Sequence, residues 1–129
     1  MNLAANFACV GLGGALGACA RYSVSLMLSA QPFSLPYATL LVNVVGALGA
    51  GFLMWLFVAK LMTGGVLHLL LVVGFLGGFT TFSAFSVETL KLAESGSILL
   101  AAVNVGFNII GSLVAVTAGA YLAKWYISV

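Results

Sequence analysis

The run Gly74-Phe75-Leu76-Gly77-Gly78-Phe79-Thr80-Thr81-Phe82-Ser83-Ala84-Phe85-Ser86 sets three glycines, four hydroxyls and four phenylalanines inside an otherwise apolar segment. A chain that crosses lipid must satisfy its backbone polar groups internally, so a break of this kind persists at membrane depth only if protein buries it or a watery cavity faces it. The run therefore predicts a helix broken around residues 77–83, and it is the first candidate for an ion or substrate site. That lipid is the relevant solvent follows from composition. The 129 residues are 64% hydrophobic and 5% charged, with a mean hydropathy of +1.27, whereas soluble domains carry about 25% charged residues.

Hydropathy divides the chain into four spans, at about 3–30, 37–59, 66–91 and 98–126, which makes it one all-α transmembrane domain. The N-terminus has no Lys or Arg before a short apolar core and no small-residue cleavage site, so residue 3 onward reads as a retained first span. Gln31-Pro32-Phe33-Ser34-Leu35-Pro36 reads as a turn, because two prolines cannot continue a helix. Lys60 to Gly65 and Ala93 to Ser97 are the other connections. The first span is rich in small residues (Gly11, Gly13, Gly14, Ala15, Gly17, Ala18), and the second repeats that composition at Gly46, Gly49 and Gly51. Such surfaces let helix backbones approach closely, so each predicts a tight neighbour. Cys9 and Cys19 are separated by roughly 15 Å of helix rise, beyond disulfide reach, and read as packing residues.

Charge excludes several function classes. Arg21, Lys60, Lys91 and Lys124 face only Glu88 and Glu94, too few basic residues for a nucleic-acid surface, and no nucleic-acid partner is implied. Arg21 lies late in the first span, where it either snorkels to the interface or pairs inside the protein. His68 has no second ligand at metal spacing and reads as interfacial. Glu88 and Lys91 form an i,i+3 pair that reads as the solvated end of the third span. Lys124-Trp125-Tyr126 reads as an interfacial belt. Four spans put both termini on one side, with Lys60 and Lys124, against Lys91 and, if it snorkels there, Arg21 on the other. With so little positive-inside bias, two copies inserted oppositely would supply by assembly the inverted symmetry that larger transporters build by duplication.

No nucleotide loop, Ser-His-Asp set, paired intramembrane carboxylates or metal cluster is present, so the chain does not read as an enzyme. The polar residues within the spans are neutral: Asn43, Thr80, Thr81, Ser83, Ser86, Asn104, Asn108 and Ser112. Asn104, Asn108 and Ser112 recur at i, i+4 and i+8, a stripe that is either a helix seam or the wall of a pathway. Amides and hydroxyls can replace water around a small hydrated anion without trapping it. Phe82 and Phe85 share a helix face, and ring edges carry positive potential that suits the same ion. The break also frees backbone carbonyls at two half-helix ends, the usual way for membrane proteins to hold a bare cation.

In order and spacing, Gly13-Gly14-Ala15-Leu16-Gly17-Ala18-Cys19-Ala20-Arg21-Tyr22, then Thr39-Leu40-Leu41-Val42-Asn43-Val44-Val45-Gly46, then the opening run extended through Val87-Glu88, resemble the Fluc (CrcB) fluoride channels of bacteria. The resemblance covers essentially the whole chain. It implies a passive fluoride-selective channel of the bacterial inner membrane, built as an antiparallel dual-topology homodimer. It further implies two fluoride pores along the subunit interface and a structural sodium ion where the broken third helices cross. Position by position, Phe82 and Phe85 look like the pore phenylalanines and Asn43 like the pore amide. Thr81 and Ser83 belong to the hydroxyl track, and Arg21 resembles the vestibule arginine. The carbonyls of Gly77 and Thr80 resemble the sodium ligands, and Asn104, Asn108 and Ser112 fall on the fourth-helix polar track. Ala84 departs from the pattern, which commonly has a hydroxyl there. The rival readings are a small multidrug-type transporter, disfavoured by the lack of a mid-membrane carboxylate, and a non-transporting assembly whose glycines and hydroxyls serve only helix association.

Overall fold

A computed structural model describes residues 2–28, 35–60 and 63–128. Most of the turn read at residues 31–36, the end of the first span at 29–30, and residues 61–62 of the second connection lie outside these described residues. The described chain is helical: α1 (Leu3–Leu28), α2 (Tyr37–Ala59), a π-helical segment (His68–Leu76) running directly into α3 (Gly77–Phe79), then α4 (Phe82–Glu94) and α5 (Ile98–Ser128). Taking His68–Glu94 as one rod, four helices are long and apolar enough to cross a membrane. At 31 residues α5 is about 46 Å long, more than the roughly 30 Å of a hydrocarbon core.

Glycine decides which helices meet. A Cβ on Gly13 would overlap the Leu70 carbonyl, one on Gly17 the Phe75 carbonyl, and one on Gly78 the Gly14 carbonyl, so α1 lies backbone to backbone along the third rod. The only residues α1 buries are Gly13 and Gly17. The second pair, α2 and α5, is reciprocal: a Cβ on Gly51 would strike the Val116 carbonyl and one on Gly119 the Leu48 carbonyl. These are the tight neighbours that the small-residue surfaces predict. Dispersion between closely spaced backbones drives such association, because lipid offers no hydrophobic gain.

The third rod differs from a plain broken helix. Its first nine residues wind as a π-helix, a wide form usually confined to single turns and common at functional sites. Nothing in the amino-acid pattern distinguishes that winding from an α-helix. After α3 the rod is interrupted at Thr80 and Thr81, whose backbones are extended (φ −81°, ψ 156° and φ −152°, ψ 120°). Two β-branched residues after a glycine pair favour this geometry. The Thr81 hydroxyl then accepts the Ala84 N–H at 3.2 Å, an N-cap that starts α4. At the other end of α4, Gly96 (φ 82°) lets the Ser97 N–H reach back to the Leu92 carbonyl and its own N–H to that of Ala93, a Schellman stop.

Two readings need correction. Glu88 is not a solvated end: it is half-buried, with Oε1 accepting the Thr39 hydroxyl at 2.8 Å and Oε2 buried without a partner among the described residues. The glycine-driven approach of α1 leaves Cys19 on its outer face, so it is exposed rather than a packing residue, and both cysteines are free.

Candidate functional site

The interruption at Thr80–Thr81 opens the wall of a groove of about 630 Å³ between α2, the third rod, α4 and α5. Asn43, Gly77, Thr80, Thr81, Phe82, Phe85, Asn108 and Ser112 all line it, and the remaining wall is apolar, including Ala47, Ala50, Val72, Leu76 and Val116. No charged side chain is among its lining residues. Arg21, Ser83 and Asn104, the other predicted site residues, lie outside that lining.

Asn43 holds the break. Its Oδ1 accepts the Thr81 N–H at 2.8 Å, and its Nδ2 donates to the Thr81 carbonyl at 3.0 Å, so one carboxamide satisfies both polar groups of a residue that the helix ladder has released. The same Nδ2 also donates to Asn108 Oδ1 at 2.9 Å. Gly46, one turn along α2, makes room beside it, since a Cβ there would collide with the Thr80 methyl. The Thr80 hydroxyl turns back to the Leu76 carbonyl at 2.9 Å.

The fourth-helix stripe divides. Asn104 (2% exposed) and Asn108 (5%) face into the protein, so the upper stripe is a seam. Asn108 and Ser112 also border the groove, so there the stripe is a wall. Phe82 and Phe85 have ring centroids 5.3 Å apart at 59°, a tilted pair, and both line the groove. They do not stand alike: Phe82 is 76% exposed, while Phe85 is buried at 7%. Ser83 is exposed with its Oγ 3.3 Å from Thr81 Oγ1, so the two hydroxyls form one short track at the start of α4. Ala84 adds only its N–H to that track. Arg21 pairs inside the protein, its Nε donating to the Gly78 carbonyl at 3.1 Å just before the break.

The carbonyls of Gly77 and Thr80, the predicted cation ligands, flank the interruption of the helix. The amides four residues on, which would close a helical ladder onto them, bond elsewhere: Thr81 N–H to Asn43 Oδ1 and Ala84 N–H to Thr81 Oγ1. The ordinary helical donors of both carbonyls are thus engaged elsewhere. Pattern reasoning missed Thr89, whose hydroxyl accepts from Asn104 Nδ2 at 2.8 Å, and Thr39 as the partner of Glu88. The signal for Thr89 was the stripe itself, because buried carboxamides require partners.

The family model for "CrcB-like protein, Camphor Resistance (CrcB)" matches residues 8–120. Among curated relatives, a protein of Chlorobium phaeobacteroides named "Fluoride-specific ion channel FluC" is 39% identical over 124 residues, covering 96% of each chain. One of the same name from Chloroflexus aurantiacus is 40% identical, covering 94% of this chain and 97% of its own. A third, from Idiomarina loihiensis, is 42% identical over 94% of both.

Proposed function

This chain belongs to the CrcB-like family, and from that membership we propose that it is a passive, fluoride-selective ion channel of a bacterial inner membrane. It is a multi-pass membrane protein and not an enzyme. One observation carries the site: from four elements, neutral donors and two phenylalanines converge on one uncharged groove. A small anion that sheds its water there meets hydroxyls, amides and a ring edge, none of which carries the fixed positive charge that would trap it. Larger anions lose more by dehydration in an apolar wall than the few donors return. Nothing in the groove couples to an energy source, so fluoride that enters the cell as hydrogen fluoride and ionises leaves down its own gradient.

In this reading Phe82, Phe85, Asn43, Thr81, Ser83, Asn108 and Ser112 border the ion path, Asn104 backs it, and Arg21 serves its vestibule. The interruption at Thr80–Thr81 sits at mid-membrane, where irregular backbone is tolerated because it lines a cavity. The groove is open along one side, and a second copy inserted antiparallel would close it, so the working unit is a dual-topology homodimer. The weak charge bias between the two faces allows both insertions. The carbonyls of Gly77 and Thr80, two from each copy, would hold a structural sodium ion at the crossing. That ion supplies charge to bind four released carbonyl dipoles and nothing else.

The test is fluoride efflux from liposomes containing the purified protein, with chloride as control. Fluoride flux well above chloride is expected. Equal or absent fluoride flux sinks the channel reading.

A further inference from the structure

The groove's amides belong to one directed chain of hydrogen bonds. Thr81 N–H donates to Asn43 Oδ1 (2.8 Å) and Asn43 Nδ2 to Asn108 Oδ1 (2.9 Å). Asn108 Nδ2 donates to Asn104 Oδ1 (3.0 Å) and Asn104 Nδ2 to the Thr89 hydroxyl (2.8 Å). Thr89 donates in turn to the Phe85 carbonyl (2.7 Å). The chain thus starts on the break, passes through α2 and α5, and ends on α4 at the backbone of a groove-lining phenylalanine.

Its polarity is fixed by groups that cannot be reversed. An N–H at Thr81 demands an oxygen from Asn43, and the Thr81 carbonyl demands the nitrogen (3.0 Å). The Asn104 carbonyl demands the nitrogen of Asn108 (3.1 Å), and the Phe85 carbonyl demands the proton of Thr89. A carboxamide has one acceptor end and one donor end, so each link forces the orientation of the next. Asn43, which faces the groove, cannot turn without breaking the chain at both of its ends.

We infer that Thr89 and Asn104 are positioning residues that hold Asn108 Oδ1 against the Asn43 amide and so keep the groove-facing carboxamide in place. The functional consequence rests on the fluoride-channel reading; the geometry does not. Neither residue lies in the groove lining, and each acts through Asn108. Without Thr89, Asn104 Nδ2 loses its acceptor, the Asn104 side chain no longer holds Asn108 firmly, and the bond from Asn43 Nδ2 to Asn108 Oδ1 weakens.

The experiment compares wild type, Thr89→Ser, Thr89→Val and Thr89→Ala in reconstituted liposomes. The protein is also labelled with 15N-asparagine, so that the Asn43 side-chain amide is followed by NMR. Thr89→Val is expected to lower fluoride flux about tenfold, the scale of one lost hydrogen bond. It should also shift the Asn43 side-chain resonance, although the substituted residue does not touch Asn43. Thr89→Ser, which keeps the hydroxyl, should restore both. Wild-type flux and an unmoved resonance in Thr89→Val overturn the inference. If Thr89→Val does not fold, Thr89→Ala decides by the same two readouts. The unaltered protein decides independently of either: side-chain amide exchange at Asn43 and Asn108 as fast as at exposed Asn2 overturns the relay. A wild type that conducts no fluoride would sink the channel reading while leaving the resonance test of the relay intact.

Discussion

At Asn43 one carboxamide stands in for a peptide group, giving Thr81 the donor and acceptor that a helix would otherwise provide. Replacing it with Leu should abolish most fluoride flux. It should also destabilise the protein by about 1–3 kcal/mol for the stranded Thr81 backbone groups, read as a lower melting temperature. Unchanged flux would reduce Asn43 to a seam residue. The two phenylalanines separate by burial. Phe82→Ile should stop fluoride flux and leave stability unaltered, because Phe82 is exposed in the single chain. Phe85→Ile should stop flux and cost about 1–3 kcal/mol, since a differently shaped side chain must fit a filled site. If both variants conduct as wild type, the aromatic edges do nothing beyond packing.

Among the elements, the informative contrast lies within α1. Gly17 meets the Phe75 carbonyl backbone to backbone, whereas Gly11 has no atom within 4 Å of the position its Cβ would take. Gly17→Ala should force α1 off the third rod, costing about 1–3 kcal/mol and lowering the yield of folded protein. Gly11→Ala should gain about 0.5–1 kcal/mol through helix propensity. Thermal denaturation in detergent, followed by size exclusion, distinguishes them, and equal effects would mean that α1 does not sit on the third rod as described. The break has its own logic at this scale. Thr81 spends its hydroxyl capping α4 and its backbone on Asn43, so the ordinary helical donors of the Gly77 and Thr80 carbonyls are engaged elsewhere.

For the whole molecule, a groove open on one side and apolar outer faces along every helix require lipid or a second copy to cover them. On the proposal that sodium sits at the crossing of a dimer, exchanging it for a larger alkali cation should weaken that dimer, measured as a rise in monomer on dilution. A dimer indifferent to the cation rejects the ion. Dual topology is tested with Ser95→Cys in a chain lacking Cys9 and Cys19. An impermeant maleimide should label one population of intact cells directly and the remainder only after permeabilisation, and labelling from a single side throughout would contradict antiparallel insertion.

Much of this protein is legible without coordinates, because the properties involved are local along the chain. Hydropathy places four spans, Gly13 and Gly17 mark a close helix contact, and the run from Gly74 to Ser86 marks where a helix gives way. The orientation of each helix about its axis is not legible. Apart from the glycine faces and the Asn104–Ser112 stripe, a helix apolar nearly all round gives no sign of which face turns inward, since lipid and protein interior are equally apolar. Tertiary structure alone decided that Asn104 is a buried seam residue while Ser112 borders the groove, and that Phe85 turns in while Phe82 turns out. It also decided that Glu88 meets Thr39, and that Lys124 stacks its ammonium 4.2 Å from the Trp55 ring of α2 as well as on neighbouring Tyr121. Composition fixes that carboxamides and hydroxyls buried in such a chain must find partners. Which partners they find depends on where glycine lets two backbones touch, and that is set only when all the helices pack at once.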